Sequence, residues 1–277
     1  MEKEKLRSRL NVEEMKRHKV KTAIYFIIRV FTVGVMVASI LRGKWENTFT
    51  CVLTLSLMLI PTFVERRLQV ALPSVLECVV ILFVFAANIL GEIHSFYGRI
   101  PMWDTILHTL NGFICAGVGF GLIDILNRND RIRMNLSPIF VVLFSFCFSM
   151  TVGTVWEFFE FGMDYFFGND MQKDTVINTI HSYTLIKPMG KMTVDNIKTT
   201  AVNGQSMNIN GYLDIGLYDT MKDLFVNFIG AVVFNVAGFF YLKGRKKHTE
   251  FIENFIPTIA EYNAPVCALS RLSEPDR

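Results

Sequence analysis

The run WDTILHTLNGFICAGVGFGLIDIL, residues 103–126, decides the fold class of this chain. It matches the roughly 20 apolar residues that a helix needs to cross a bilayer. Its first half carries Asp104, His108 and Asn111, whose spacings of four and three residues place them on one helical face. Because ionisable groups at bilayer depth cost free energy, we expect these side chains to serve a function.

Five further apolar runs predict a membrane protein with several spans. They lie at 20–41, 47–64, 72–93, 137–161 and 221–242. A composition that is 51% hydrophobic and 19% charged, with a mean hydropathy of +0.36, excludes an ordinary soluble domain. We therefore predict an all-α fold, a polytopic membrane helix bundle of about six transmembrane helices.

The basic residues indicate how this bundle is oriented. They are dense in the N-terminal tail and after the second, fourth and sixth runs, and sparse in the opposite loops. Those after the runs are Arg66, Arg67, Arg128, Arg131, Arg133, Lys243, Arg245, Lys246 and Lys247. By the positive-inside bias we expect a multi-pass protein of the cell membrane with cytoplasmic N and C termini. No basic, aromatic-interleaved surface suggests nucleic acid, so the expected partner is the lipid bilayer.

The predicted organisation is one membrane domain with two cytoplasmic tails and one extracytoplasmic loop. The segments are a basic tail at 1–19, helices one to five at 20–164, the loop at 165–218, helix six at 219–242 and a tail at 243–277. Within the loop, Asn203-Gly204 lies between alternating segments, which is the signal for a β-hairpin. We expect a small outward-facing β element, with a disordered loop as the alternative.

Acidic residues on three helices fall at one predicted depth. The fourth helix carries Asp104 with His108 near its start. The fifth helix carries Glu157, Glu160 and Asp164 near its end, and the sixth carries Asp219 and Asp223 near its start, with Asn227 one turn further on. Because the fifth helix runs opposite to the fourth and sixth, all of these side chains come to the outer side. The sequence therefore predicts an outward-facing cluster.

A divalent metal is the simplest way to balance so many carboxylates, because they cannot all ionise in a low-dielectric cleft without a cation or protons. The candidate metal ligands are Asp104, His108, Glu157, Glu160, Asp219 and Asp223, and the supporting polar residues are Asn111, Asp164 and Asn227. Carboxylate and imidazole ligands suit manganese, iron, zinc or magnesium without selecting among them. His108 and Glu157 are also the candidate catalytic residues, as general acid or base.

Each of these residues also has a structural explanation. Asp104 and Asp219 are favoured at helix N-termini by capping and by the helix dipole. The acids near the end of the fifth helix can be solvated at the membrane interface, and Asn227 can bond neighbouring helices. Small residues on the fourth helix are expected to serve close packing; they are Gly112, Cys115, Ala116, Gly117, Gly119 and Gly121.

Two more charges lie within the spans, near the predicted inner side. Arg29 lies in the first run and Glu77 near the start of the third. A lone charge at that depth is expensive, so we expect Arg29 and Glu77 to form an ion pair.

Three segments resemble conserved blocks of the YjdF-like family of bacterial inner-membrane proteins. They are Trp103-Asp104-Thr105-Ile106-Leu107-His108, Trp156-Glu157-Phe158-Phe159-Glu160, and the stretch Asp219 to Ala231. An acid plus His on one helix, a Glu on the next and Asp, Asn and Gly on the last are distantly similar to the VanZ-like group associated with glycopeptide resistance, although the long loop departs from that pattern. The resemblance implies a bacterial membrane location and these site positions, and no particular reaction.

Three functional classes fit these observations. The first is a metal-dependent membrane enzyme that acts at the outer face on a lipid, a lipid-linked precursor or another cell-envelope component. The second is an ion-coupled transporter, and the third is a non-catalytic membrane binding or assembly protein. Transporters usually place their site near the bilayer midplane, often between repeats. An off-centre cluster without a detectable repeat favours an enzyme or a binding protein.

Overall fold

Helices form most of the computed structural model, which describes residues 2–68, 70–128, 136–185, 192–244 and 254–259. They are α1 Glu2–Leu41, α2 Trp45–Leu57, α3 Ile60–Leu68, α4 Ser74–Phe85, α5 Phe96–Arg99, α6 Trp103–Arg128, α7 Pro138–Phe167 and α8 Leu217–Leu242. Six stretches are long and apolar enough to cross a membrane: Lys21–Leu41, Trp45–Arg67, Ser74–Ile93, Trp103–Ile123, Pro138–Phe167 and Leu217–Leu242. The prediction of a six-helix membrane bundle is confirmed.

The second and third spans are less regular than the sequence analysis expected. The second span is split into α2 and α3, with α2 ending at Leu57. Pro61 explains the break, because its ring would clash with the carbonyl of residue 57 in a continuous helix and it has no N–H to donate. In the third span, α4 continues as a π-helical segment, Ala86–Ile93. Both irregularities face the same apolar cavity, described below.

The core is a three-helix unit of α6, α7 and α8. Helices α6 and α8 run in the same direction, and α7 runs against them. Helices α6 and α8 are in backbone contact. A Cβ atom added at Gly112 would lie 2.0 Å from the Asn227 carbonyl oxygen, and a Cβ atom added at Gly230 would lie 1.9 Å from the Thr109 carbonyl oxygen. The Ser149 hydroxyl of α7 donates to the Gly112 carbonyl at 2.8 Å. Small residues in α6 thus serve close packing, as the sequence predicted.

The segment 254–257 packs into a groove in the other half of α6. A Cβ at Gly117 would lie 2.9 Å from the Phe255 carbonyl oxygen, and one at Gly121 would lie 2.2 Å from Pro257. Phe255 and Ile256 are buried, and the Phe255 ring meets that of Phe113 edge to face. Strand β8 (Thr258–Ile259) then pairs with β1 (Val70–Ala71), between α3 and α4.

The segment 168–216 between α7 and α8, which we call the insertion, contains only short antiparallel strand pairs among its described residues. These are β2 Thr175–Ile177 with β7 Tyr212–Asp214, β3 Ile180–Ser182 with β4 Met192–Val194, and β5 Ala201–Val202 with β6 Gln205–Ser206. Between β5 and β6, Asn203 and Gly204 have φ values of 52° and 79°. Positive φ at both positions is the type I′ turn expected of Asn-Gly, so the hairpin prediction is confirmed.

The predicted ion pair between Arg29 and Glu77 is wrong. Glu77, only 2% exposed, pairs with Lys21 instead. Arg29 donates to the Met58 carbonyl at 3.3 Å and stacks over the Tyr25 ring. Lys21 lies eight residues before Arg29, at the start of the first span. A lysine there can reach a buried acid while its side chain remains partly accessible, which makes the pair less costly than one formed deeper.

We expect Lys21→Met to destabilise the protein more than Arg29→Met. The first change leaves Glu77 buried without its partner, at a cost of about 2 kcal/mol, below the roughly 3–5 kcal/mol of fully buried pairs because Lys21 is partly exposed. Arg29→Met removes a hydrogen bond to a carbonyl and the contact with the Tyr25 ring, and leaves no buried charge without its partner. Thermal unfolding in detergent measures both, and the double variant Lys21→Met/Glu77→Gln should recover part of the loss. Equal melting temperatures for the two single variants would contradict the assignment.

Candidate metal centre

One face of α6 and one face of α8 meet at the end of the bundle where both helices begin. Asp104, His108 and Gly112 follow each other at spacings of four on α6, and Asp219, Asp223 and Asn227 do so on α8. The glycine contacts hold the two backbones together one to two turns further on. The polar side chains that precede these contacts therefore point into a shared space.

Three side chains in this space form a group with metal-ligand geometry. Asp104 Oδ1 lies 3.4 Å from His108 Nε2, and Asp223 Oδ2 lies 3.7 Å from the same nitrogen. One donor atom from each residue lies within 4.8 Å of the other two. The two distances to His108 Nε2 exceed that of a good N–H···O hydrogen bond, about 2.7–3.2 Å. They are close to the roughly 3.4 Å that separates two ligand atoms of a tetrahedral ion bound at about 2.1 Å.

Lys222 supplies a fixed positive charge on the other side of the same carboxylates. Its Nζ lies 2.8 Å from Asp104 Oδ2, 3.4 Å from Asp219 Oδ1 and 3.5 Å from Asp223 Oδ1. Asp104 and Asp223 therefore each use one oxygen for the lysine and turn the other toward His108. A cation could therefore be held on the His108 side without displacing Lys222.

Glu157 extends the group from α7. Its Oε1 lies 3.9 Å from His108 Nδ1, the ring nitrogen that faces away from the two aspartates. Glu157 is 4% exposed and Asp223 is 1% exposed. Among the described residues, Glu157 Oε2 and Asp223 Oδ1 have no hydrogen-bond partner, and Lys222 Nζ lies 3.5 Å from Asp223 Oδ1. Buried, unsatisfied carboxylate oxygens are costly, so the site is suited to a ligand that is positively charged or donates hydrogen bonds.

An amide pair forms the floor of the site. Asn111 Nδ2 donates to Asn227 Oδ1 at 2.9 Å, and Asn227 Nδ2 contacts Met150 Sδ at 3.6 Å. A Cβ added at Gly153 would lie 2.8 Å from Asn227 Nδ2, so this glycine makes room for the amide. Asn111 and Asn227 thus join all three core helices beneath the acids.

The first residues of the insertion close the site from above. The backbone N–H of Lys173 donates to Asp219 Oδ2 at 2.8 Å, and Asp164 accepts the N–H groups of Met171 and Gln172 at 2.6 and 2.8 Å. Asp164 therefore anchors the insertion and does not join the group around His108. Glu160 is buried, and its Oε1 accepts the Trp156 indole N–H at 2.8 Å, which leaves it beside the group.

Lys222 is the functional residue that the sequence analysis missed. It lies three residues after Asp219 and directly before Asp223, so the helical spacing that grouped the acids also places a lysine among them. A second lysine, Lys173 in the insertion, lies near the site: its Nζ is 3.7 Å from Glu92 Oε1 and lies over the Tyr97 ring.

Two cavities adjoin the site, and Tyr97 lines both. An apolar cavity of about 420 Å³ lies between the α2–α3 break, the π-helical segment, α6 and α7, and it reaches His108 and Asn111. A polar cavity of about 450 Å³ reaches Asp104, Asp219 and Lys222. Burial raises the pKa of the Tyr97 phenol well above its usual range, and the Glu92 carboxylate acts in the same direction. Tyr97 therefore stays a neutral hydrogen-bond donor at neutral pH.

Comparison with known proteins bears on the family alone. A family model described as "Predicted membrane protein (DUF2238)" matches residues 22–244. Apart from Lys21, the first residue of the first span, this region contains all six spans and every residue of the candidate site. No curated protein and no solved structure gives a significant match. The distant likeness to VanZ-like proteins stays a prediction.

Proposed function

The chain belongs to the YjdF-like family of membrane proteins, DUF2238. From that premise we propose that it is a divalent-metal-dependent membrane protein that acts on a lipid or cell-envelope substrate. The proposal includes the orientation expected from the basic residues, with cytoplasmic termini and an outward-facing site. Asp104, His108 and Asp223 hold the ion, and Glu157 and Asp219 complete its surroundings.

The arrangement around His108 Nε2 carries this proposal. A protonated His108 in direct ion pairs would draw Asp104 and Asp223 to hydrogen-bond distance, but both oxygens lie 3.4–3.7 Å from the nitrogen. A cation between the three atoms satisfies all of them and also balances the excess of carboxylates over Lys222.

The side chains have distinct roles in this proposal. A bound divalent ion supplies Lewis acidity, which polarises a phosphoryl or carbonyl oxygen or activates water. Lys222 orients Asp104 and Asp223 and can bind an anionic group next to the ion. Glu157 has one oxygen near His108 Nδ1 and a second oxygen without a hydrogen-bond partner among the described residues. In this proposal it accepts a proton or fixes the orientation of the imidazole ring.

A second candidate, an ion-coupled transporter, is favoured by one observation. The break between α2 and α3 lies beside the apolar cavity, and interrupted helices often line transporter sites. The metal site lies at the end of the bundle where α6 and α8 begin, which favours the first candidate. Comparing the lipid composition of a deletion strain with solute uptake into its cells separates the two: an altered lipid or precursor pool supports the first, and a lost uptake activity the second.

Metal analysis of the purified protein tests the proposal. We expect about one divalent ion per chain, removed by a chelator, and an upward shift of the melting temperature when the ion is restored. Saturation at about 100 times the dissociation constant contributes roughly 2.7 kcal/mol. No bound metal, together with an unchanged melting temperature across manganese, iron, zinc and magnesium, would refute it.

Replacing Lys222 by methionine should increase the dependence on metal. Without the ammonium group, Asp104, Asp219 and Asp223 repel each other, so the chelator-treated variant should melt at a lower temperature than the wild type. The ion should bind roughly tenfold more tightly, as removal of a nearby like charge implies. Titration calorimetry measures this affinity, and Lys222→Arg, which keeps the charge, is the matched control. Weaker metal binding by Lys222→Met would contradict this expectation and would show that the lysine's orientation of Asp104 and Asp223 outweighs its repulsion of the ion.

A further inference from the structure

The two cavities beside the metal site have complementary chemistry. Leu57, Val84, Val152 and Trp156 are among the residues that line the apolar cavity. The polar cavity has three basic side chains in its lining, Arg99, Lys173 and Lys222. Both volumes lie within the roughly 300–1,000 Å³ typical of small-molecule sites.

The proposed metal site borders both cavities. His108 lines the apolar cavity, and its partner Asp104 lines the polar one. A ligand that extends from one cavity into the other would therefore pass His108 and Asp104, two of the three proposed metal ligands. Such a ligand has an apolar part and an anionic part.

We infer that the site takes a lipid phosphate, with its hydrocarbon chain in the apolar cavity and its phosphate between the bound ion and Lys222. The inference rests on the proposed metal site for the phosphate position. It names a substrate class, a hydrocarbon chain that ends in a phosphate, which either a bilayer phospholipid or a single-chain carrier lipid provides.

The hydrocarbon chain and the phosphate contribute differently to the binding of the ligand. A chain that leaves the bilayer for an apolar cavity exchanges one hydrocarbon environment for another, so the cavity selects and positions the chain and contributes little affinity. The phosphate forms charge-assisted bonds with Lys222 and with Arg99 or Lys173, and these contribute most of the affinity. The α2–α3 break and the π-helical segment keep regular helix packing from filling the cavity.

Photo-crosslinking in proteoliposomes tests the inference on the full chain. The probe is a hexadecyl phosphate with a diazirine in its chain, and the control probe is the corresponding alcohol. We expect the phosphate probe to label residues around Val152 and Trp156 at least about tenfold more than the alcohol does, the difference that one charge-assisted hydrogen bond provides. Competition with unlabelled phosphatidic acid and with a single-chain prenyl phosphate identifies the source, and displacement by neither would overturn the inference.

A cavity-filling variant provides the second measurement. Val152→Trp should remove labelling of the cavity, whereas Val233→Trp, on the exposed face of α8, should leave it unchanged. Both variants should keep the wild-type metal content. Labelling of Val152→Trp at the wild-type level overturns the lipid assignment and leaves the metal site standing. If the wild-type protein contains no metal but the probe still labels the apolar cavity, the proposed function and the phosphate position are overturned. The binding site for the hydrocarbon chain then stands.

Discussion

Replacing Gly230 by leucine should abolish the folded bundle. Even the first side-chain atom would lie 1.9 Å from the Thr109 carbonyl oxygen and 3.0 Å from the Phe113 backbone nitrogen. Both atoms belong to a helix backbone and cannot rotate away, so α6 and α8 would have to separate. Overpacking in a core costs about 1–3 kcal/mol where side chains can adjust, and we expect a larger loss here. Size-exclusion chromatography and thermal unfolding in detergent measure it.

A glycine in open surroundings provides the control for this experiment. Gly162 lies in α7 with nothing within 4 Å of an added Cβ, so Gly162→Leu should leave the melting temperature near that of the wild type. The same replacement at Gly112, which faces the Asn227 carbonyl oxygen, should be as damaging as at Gly230. A stable, monodisperse Gly230→Leu protein would show that α6 and α8 do not touch in the way described.

Replacing the proposed ligands one at a time should remove the ion in a graded way. His108→Ala and Asp223→Asn should each reduce metal affinity by about 100-fold or more, since the loss of a residue that only supports a ligand already costs 10–100-fold. Glu160→Gln should keep the ion, because the Glu160 carboxylate is engaged by the Trp156 indole. Elemental analysis of the purified variants measures their metal content.

Asp195→Asn is the matched control, because Asp195 is an exposed acid in the insertion. It should retain the metal content of the wild type. If Glu160→Gln loses as much metal as Asp223→Asn, the metal site includes Glu160 in addition to Asp104, His108 and Asp223. Full metal content in His108→Ala would refute the site.

The helices were predictable because span length and hydrophobicity are local properties of a sequence. The run at 103–126 corresponds to the span Trp103–Ile123, and the run at 20–41 corresponds to Lys21–Leu41. The apolar run at 47–64 was predicted as one span, although the break at Pro61 was readable, since proline excludes a hydrogen bond and contacts the carbonyl four residues earlier. The π-helical segment was not, because no single residue in Ala86–Ile93 requires it.

The members of the site were easier to predict than its geometry. Helical spacing placed Asp104 and His108 on one face and Asp219 and Asp223 on another, but it does not show which atoms meet. The place of Lys222 depends on the rotation of α8 about its axis, which the glycine contacts set. Glu160 and Asp164 matched the same spacing, yet Trp156 and the insertion backbone engage their oxygens.

The Phe255–Pro257 segment has a consequence for biosynthesis. It fills the groove along Gly117 and Gly121 of α6, although it follows every span in the chain. A ribosome makes it after α8, so α6 enters the membrane with this groove open, and the groove stays open until translation has passed residue 257. The six spans can insert one after another, but the bundle reaches its final packing only after synthesis of this segment. A nascent chain halted after α8 would therefore expose a glycine-lined groove that quality-control proteases can recognise.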